Sequence, residues 1–210
     1  NQPSFHNPML MGTHQLTPDE MERIRTEAQE QTANLYFFSS LYIGIPVILM
    51  TNLLGVNCSA LGRKTLMIIF LLAMTIKFSL LLAQSIYLDW PDWVFYLGAF
   101  IEGISGSGGV FYLSLYCYIA DLTSPSSRSY RITFLNNLNS VASLCVTFGC
   151  GYVIKYYGYT YLFLTSTILM FLALIYTIFL IPEPLIELRD KSFFDRIKLC
   201  SLKKTVMCFK

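Results

Sequence analysis

Two ionisable side chains, Lys77 and Glu102, stand inside long apolar runs where no water is available to solvate them. A charge at the centre of a bilayer costs at least about 2.5–3.5 kcal/mol, so such residues usually have a task or a partner. Three readings are open. Glu102 could face a water-filled cavity and bind a cation or proton, Lys77 and Glu102 could pair between helices, or each could reach water without a role. A second polar group, Asn136, Asn139 and Ser140, shares one helix face at i, i+3, i+4 spacing beside Asn137. That face could hydrogen-bond a solute, or it could be the polar glue that joins membrane helices. No catalytic constellation accompanies these groups. His6 and His14, the two histidines, stand near the N-terminus without a nucleophile or metal ligand beside them. The glycines Gly103, Gly106, Gly108 and Gly109 follow no strand, so they are not a phosphate loop. Their expected use is close helix packing or a pathway lining. The sequence therefore predicts no catalytic residue, no metal, no cofactor and no enzyme.

The elements that carry these residues are set by composition. Of the 210 residues 54% are hydrophobic and only 13% charged, against about 25% charged in soluble domains. The mean hydropathy is +0.52. Apolar residues gather into five runs, 35–56, 66–88, 94–120, 134–154 and 161–181, each near the roughly 20 residues a helix needs to cross about 30 Å of hydrocarbon. A bilayer leaves the backbone only internal partners, so each run is predicted to be a transmembrane helix. Cys58, Cys117, Cys145, Cys150, Cys200 and Cys208 have no paired spacing, which gives no disulfide or zinc framework. The net charge of +2 carries no nucleic-acid signature.

Lys77 and Glu102 lie roughly 16 and 12 Å from one membrane face, at 1.5 Å per residue, on helices joined by a short connector. Tyr87, Trp90, Trp93, Tyr156, Tyr157 and Tyr159 sit at run ends like an interfacial belt. Arg63, Lys64, Arg128 and Arg131 occupy alternate connectors, 57–65 and 121–133, on the same side as the basic tail. The positive-inside rule puts that side, with residues 182–210, in the cytoplasm, and residues 1–34 on the extracellular or lumenal side. The sequon Asn57-Cys58-Ser59 then faces the cytoplasm and is a chance match. Thr17-Pro18-Asp19-Glu20 reads as a helix start with a capping box, opening a solvated helix over 21–31. Gly44 and Pro46 mark a bend in the first run. Phe193, Phe194 and Ile197 among Arg196, Lys198, Lys203 and Lys204 suggest either an amphipathic helix on the inner leaflet or a basic linker. Five spans with an external N-terminus suggest one earlier span upstream and a central loop beginning at 185–210.

The connector Gly55-Val56-Asn57-Cys58-Ser59-Ala60-Leu61-Gly62-Arg63-Lys64 resembles the signature loop between helices 2 and 3 of the major facilitator superfamily. Gly55, Gly62, Arg63 and Lys64 match, while Ser59 and Ala60 replace an acid and a base. Gly62 permits a tight turn and Gly55 a close helix approach. The segment Asp121-Leu122-Thr123-Ser124 with Arg128-Ser129-Tyr130-Arg131, the stretch Gly103–Gly109, and Gly151 with Tyr157-Gly158-Tyr159 resemble solute carrier family 46.

The resemblance spans about residues 31–184. It implies five of six helices of the N-terminal bundle of an all-α membrane transporter. By that likeness the function is secondary active transport by alternating access, with a small organic solute (an organic anion, folate-like or other polar metabolite) as partner, with or without a proton. The plasma membrane or the lysosomal membrane is the implied location. Helix 4 lines the cavity in the superfamily, which favours Glu102 as the solute-facing charge. Three departures stand out. Ser59 lacks the loop's carboxylate, so Asp121 is expected to pair with Arg63, Arg128 or Arg131. Ala99 stands where helix 4 often has Arg. Asn136 stands where proton-coupled members carry an acid, and an amide cannot titrate. These losses leave open a transporter-fold receptor or scaffold, or an inactive truncated product.

Overall fold

The computed structural model describes residues 17–87 and 90–184, and within them the protein is all helix. The elements are α1 (Pro18–Val56), α2 (Cys58–Leu61), α3 (Arg63–Ile86), α4 (Trp93–Ile104), α5 (Ser107–Leu122), α6 (Pro125–Tyr157) and α7 (Tyr159–Leu180). Five helical stretches are long and apolar enough to cross a membrane, with α4 and α5 together forming one of them. The basic tail and both histidines lie outside the described residues.

The chain divides into two units at Phe38/Ser39. In the first, the start of α1 is exposed almost throughout. Glu20 accepts hydrogen bonds from the Thr17 N–H at 3.0 Å and the Thr17 hydroxyl at 2.9 Å. The hydroxyl thus turns to the carboxylate, so half of the expected capping box forms. The solvated helix and the first apolar run are also one uninterrupted helix, Pro18–Val56, rather than two elements.

In the second unit the helices gather round α3, which packs on α4, α5 and α7. Leu66 and Val110 are fully buried in a cluster with Leu54, Cys58 and Leu61, and Phe70, Leu71 and Leu174 form a second cluster. The opposite faces are bare: Phe148 is 79% and Phe179 78% exposed, a surface suited to hydrocarbon. No residue of α6 is buried.

Glycines decide three local features. Gly62, at φ 94°, ends α2 and starts α3, the tight turn its sequence position suggests. Gly103 makes the close helix approach. A Cβ there would meet the Ile43 carbonyl oxygen at 3.0 Å and the Tyr42 carbonyl oxygen at 3.1 Å. Pro46 has no N–H to offer the Tyr42 carbonyl four residues earlier, and Gly103 sits against both that carbonyl and the proline ring. Gly55 faces only the end of the Leu113 side chain. Gly106 breaks the third apolar run. It is left-handed at φ 78°, and Ser107 follows at φ 51°, so the span over 94–120 is built of two helices rather than one unbroken helix.

The segment 121–133 is likewise mostly helix. Ser124 is extended and Pro125 occupies the first helical position, so α6 begins nine residues before the apolar run. Asn57 is buried and donates its amide to the Leu53 carbonyl at 2.9 Å, which closes the sequon.

Gly106→Ala would have to hold a left-handed conformation with its Cβ driven into Val110 Cγ2. Thermal melting of the detergent-purified protein should show a loss of about 1–3 kcal/mol. Gly109→Ala, with nothing within 4 Å, should melt as the parent does.

Candidate functional site

Lys77 of α3 and Glu102 in the last turn of α4 meet inside the bundle. Lys77 Nζ lies 2.5 Å from Glu102 Oε2, with the two side chains 21% and 12% exposed. The lysine stem lies over Gly98, where a Cβ would touch its Cγ at 3.4 Å. The other carboxylate oxygen accepts the Ser107 hydroxyl at 3.1 Å, so Glu102 bridges the break between α4 and α5. The Ser105 hydroxyl, in the break, donates to the Glu102 carbonyl at 2.7 Å. Thr51 of α1 reaches the Gly106 carbonyl at 3.4 Å. One carboxylate thus has two partners on two helices, and adding a proton to it would cost the lysine its counter-charge.

The polar face of α6 meets α5. Tyr116 donates its hydroxyl to Asn136 Oδ1 at 2.6 Å, and Tyr112 donates to Asn139 Oδ1 at 3.1 Å. The two rings stack at 6.1 Å between centroids. Ser140 turns its hydroxyl to the Asn136 carbonyl of its own helix at 3.0 Å. Sequence reasoning missed both tyrosines. The available signal was a pair of phenols at i, i+4 in an apolar run, since a buried tyrosine hydroxyl needs a partner.

At the other site, the segments 57–65 and 121–133 converge at one end of the bundle. Arg63 Nε lies 3.1 Å from Asp121 Oδ2, so of the three candidate bases Arg63 takes the carboxylate. Its Nη1 also donates to Cys58 Sγ at 2.8 Å. Burial pushes the Cys58 thiol above its ordinary range, and it stays protonated at neutral pH. Ser114, fully buried, donates to the Arg63 carbonyl at 2.6 Å. Arg128 caps the end of α5 instead, donating to the Ala120 carbonyl at 3.0 Å. Arg131 is exposed and takes no ion pair among the described residues.

Glu183, just after α7, was not anticipated. Its carboxylate accepts the Arg63 N–H at 3.0 Å and the Lys64 N–H at 3.2 Å, covering the positive end of α3. Lys64 returns the favour, with Nζ 2.7 Å from the Ile178 carbonyl in the last turn of α7. Each helix end is capped by the other helix's charge. Among the described residues no cluster of three or more His, Cys, Asp or Glu could hold a metal ion.

The family model of the Major Facilitator Superfamily matches residues 24–205. The chain belongs to this superfamily. It is similar to the lysosomal proton-coupled steroid conjugate and bile acid symporter SLC46A3 of Gallus gallus, 26% identical over 156 residues, or 74% of this chain and 33% of the relative. It is also similar to solute carrier family 46 member 2 of Canis lupus familiaris, 27% identical over 132 residues, or 61% of this chain and 27% of that protein. The chain thus spans about a third of the length of these relatives. No solved structure matches it. As a superfamily member with five apolar helices, it is a membrane protein that resembles family 46.

Removing the Glu183 carboxylate exposes two helix N–H groups at a partly buried terminus. Glu183→Ala should lower stability by about 1–2 kcal/mol in detergent melting, comparable to losing a helix cap. Glu183→Gln, which keeps an acceptor, should lose less.

Proposed function

We propose that this chain forms most of the N-terminal helical bundle of a secondary active transporter for a small organic solute, working by alternating access. In such folds the halves rock about a site near the midplane. One observation carries the reading: Glu102, a carboxylate inside the apolar helices, ties Lys77 to the broken helix at Gly106. A group with two partners across a helix break can couple a change of charge to a change of shape. Family 46 likeness supports a solute carrier role rather than an enzymatic one. The name of the chicken relative, a proton-coupled steroid conjugate and bile acid symporter, supports an organic anion as solute and a proton as the coupled ion.

In this reading residues 1–34 are extracellular or lumenal and the tail is cytoplasmic. The convergence of Arg63, Asp121 and Glu183 supports that arrangement by gathering the basic connectors at one end. Asn136, Asn139 and Ser140 belong to the solute face. Gly55, Gly62, Arg63, Lys64, Asp121, Arg128 and Arg131 belong to the conformational switch. We place the protein in the plasma membrane, with the lysosomal membrane as the alternative that the chicken relative suggests.

The second reading is a receptor or scaffold with a transporter fold. Its support is the uncharged Ser59, Ala99 and Asn136. Two of those losses are met locally, because Asp121 engages Arg63 and Tyr116 engages Asn136.

Uptake by the whole protein across a pH series decides between them. Glu102→Gln should flatten the pH dependence of uptake while the protein still reaches the membrane. An unchanged pH profile would remove Glu102 from the mechanism, and no uptake at any pH by the parent would favour the receptor.

A further inference from the structure

Building on the transporter reading, we infer that the Tyr112–Asn139 and Tyr116–Asn136 pairs form a docking site for the oxyanion of an organic solute, with the amide nitrogens as its donors. Each amide oxygen is already taken by a phenolic hydroxyl, at 3.1 and 2.6 Å. A side-chain amide has one oxygen and one –NH₂ group, so occupying the oxygen fixes which end is left to offer. Neither amide nitrogen has a partner among the described residues, and both asparagines are exposed. The Ser140 hydroxyl, the other polar group of the patch, is turned inward to its own helix. The free groups of the face are therefore donors.

Their spacing suits one acceptor group. Asn136 and Asn139 are three residues apart, a rise of about 4.5 Å along α6. Two N–H donors at that separation can each approach an oxygen of the same oxyanion at about 2.9 Å. The surroundings carry the matching sign. From Pro125 to Tyr157 α6 contains no Asp or Glu, and Arg128 and Arg131 stand on its first turns. Neutral amides also cost less inside a membrane than an arginine at the same depth. The rings of Tyr112 and Tyr116, tilted 28° to each other with centroids 6.1 Å apart, add apolar surface beside those donors for a ring system. The solute that fits is an amphipathic ring with a carboxylate or sulfonate, not a cation. Tyr112 and Tyr116 are positioning residues, acting by holding the amides in register.

The test uses the whole protein in lipid nanodiscs, with cholate as the carboxylate probe and the primary amine of the same steroid ring as its control. Binding and liposomal uptake are read separately. The parent should bind cholate and not the amine. Tyr112→Phe with Tyr116→Phe should raise the cholate Kd roughly tenfold, the effect of losing about 1.4 kcal/mol, with the melting temperature nearly unchanged. Asn136→Asp with Asn139→Asp, isosteric but presenting acceptors, should lose cholate and gain the amine. The inference is overturned if the parent binds neither probe or prefers the amine. It also falls if the paired Asn→Asp variant binds cholate as the parent does, or if the Tyr→Phe pair leaves its Kd unchanged. Binding with these dependencies but without uptake would leave the docking site standing and remove the transport reading instead.

Discussion

Hydrocarbon offers no hydrogen bonds and solvates no charge, so each polar group in this bundle must find its partner within the chain. Every buried side-chain nitrogen and oxygen among the described residues has one. Hydroxyls solve the problem locally. Thr75 bonds to the Leu71 carbonyl at 2.7 Å, Ser79 to Thr75 at 2.7 Å and Thr177 to Ala173 at 2.8 Å, each on its own helix. Lys77 and Glu102 have no such local option, because no opposite charge stands three or four residues from either on its own helix. Lys77 and Glu102 answer the constraint by meeting across two helices, and the position of α4 against α3 follows from that contact as well as from packing.

The same rule shapes the ends. The first turn of α3 carries basic residues at a terminus that favours anions, and the structure resolves the mismatch with Glu183 and Asp121 from elsewhere in the chain. The result is a set of charge contacts joining three connectors at one end of the bundle. A second set, around Glu102, lies deeper. If the bundle rocks as a superfamily member is proposed to do, the end contacts are the ones that must part and reform. The Glu102 contacts are those a bound charge could alter.

Much of this was readable beforehand. Long apolar runs report helices directly, because nothing else spans a bilayer without exposing its backbone, and the five runs coincide with five helical stretches. The signature loop and Gly62 were legible because a positive φ demands glycine. Other features were not. A glycine-rich stretch reads equally as close packing or as a break, and here Gly103 does the first while Gly106 does the second. The early start of α6 was hidden by its polar residues, although Ser124-Pro125 was a legible start signal. Glu183 caps a helix some 120 residues away, a separation at which local patterns carry no information. Tyr112 and Tyr116 passed as span-filling aromatics until their hydroxyl partners on α6 were known.

The most direct measurement is a double-mutant cycle on Lys77 and Glu102, followed by thermal unfolding of the whole protein in lipid nanodiscs. If the two charges neutralise each other, Lys77→Met and Glu102→Gln should each destabilise, and the combined variant should recover much of the loss. The coupling energy should then be about 1–3 kcal/mol. Strictly additive losses would contradict the account, because each charge would then be satisfied by something other than its neighbour.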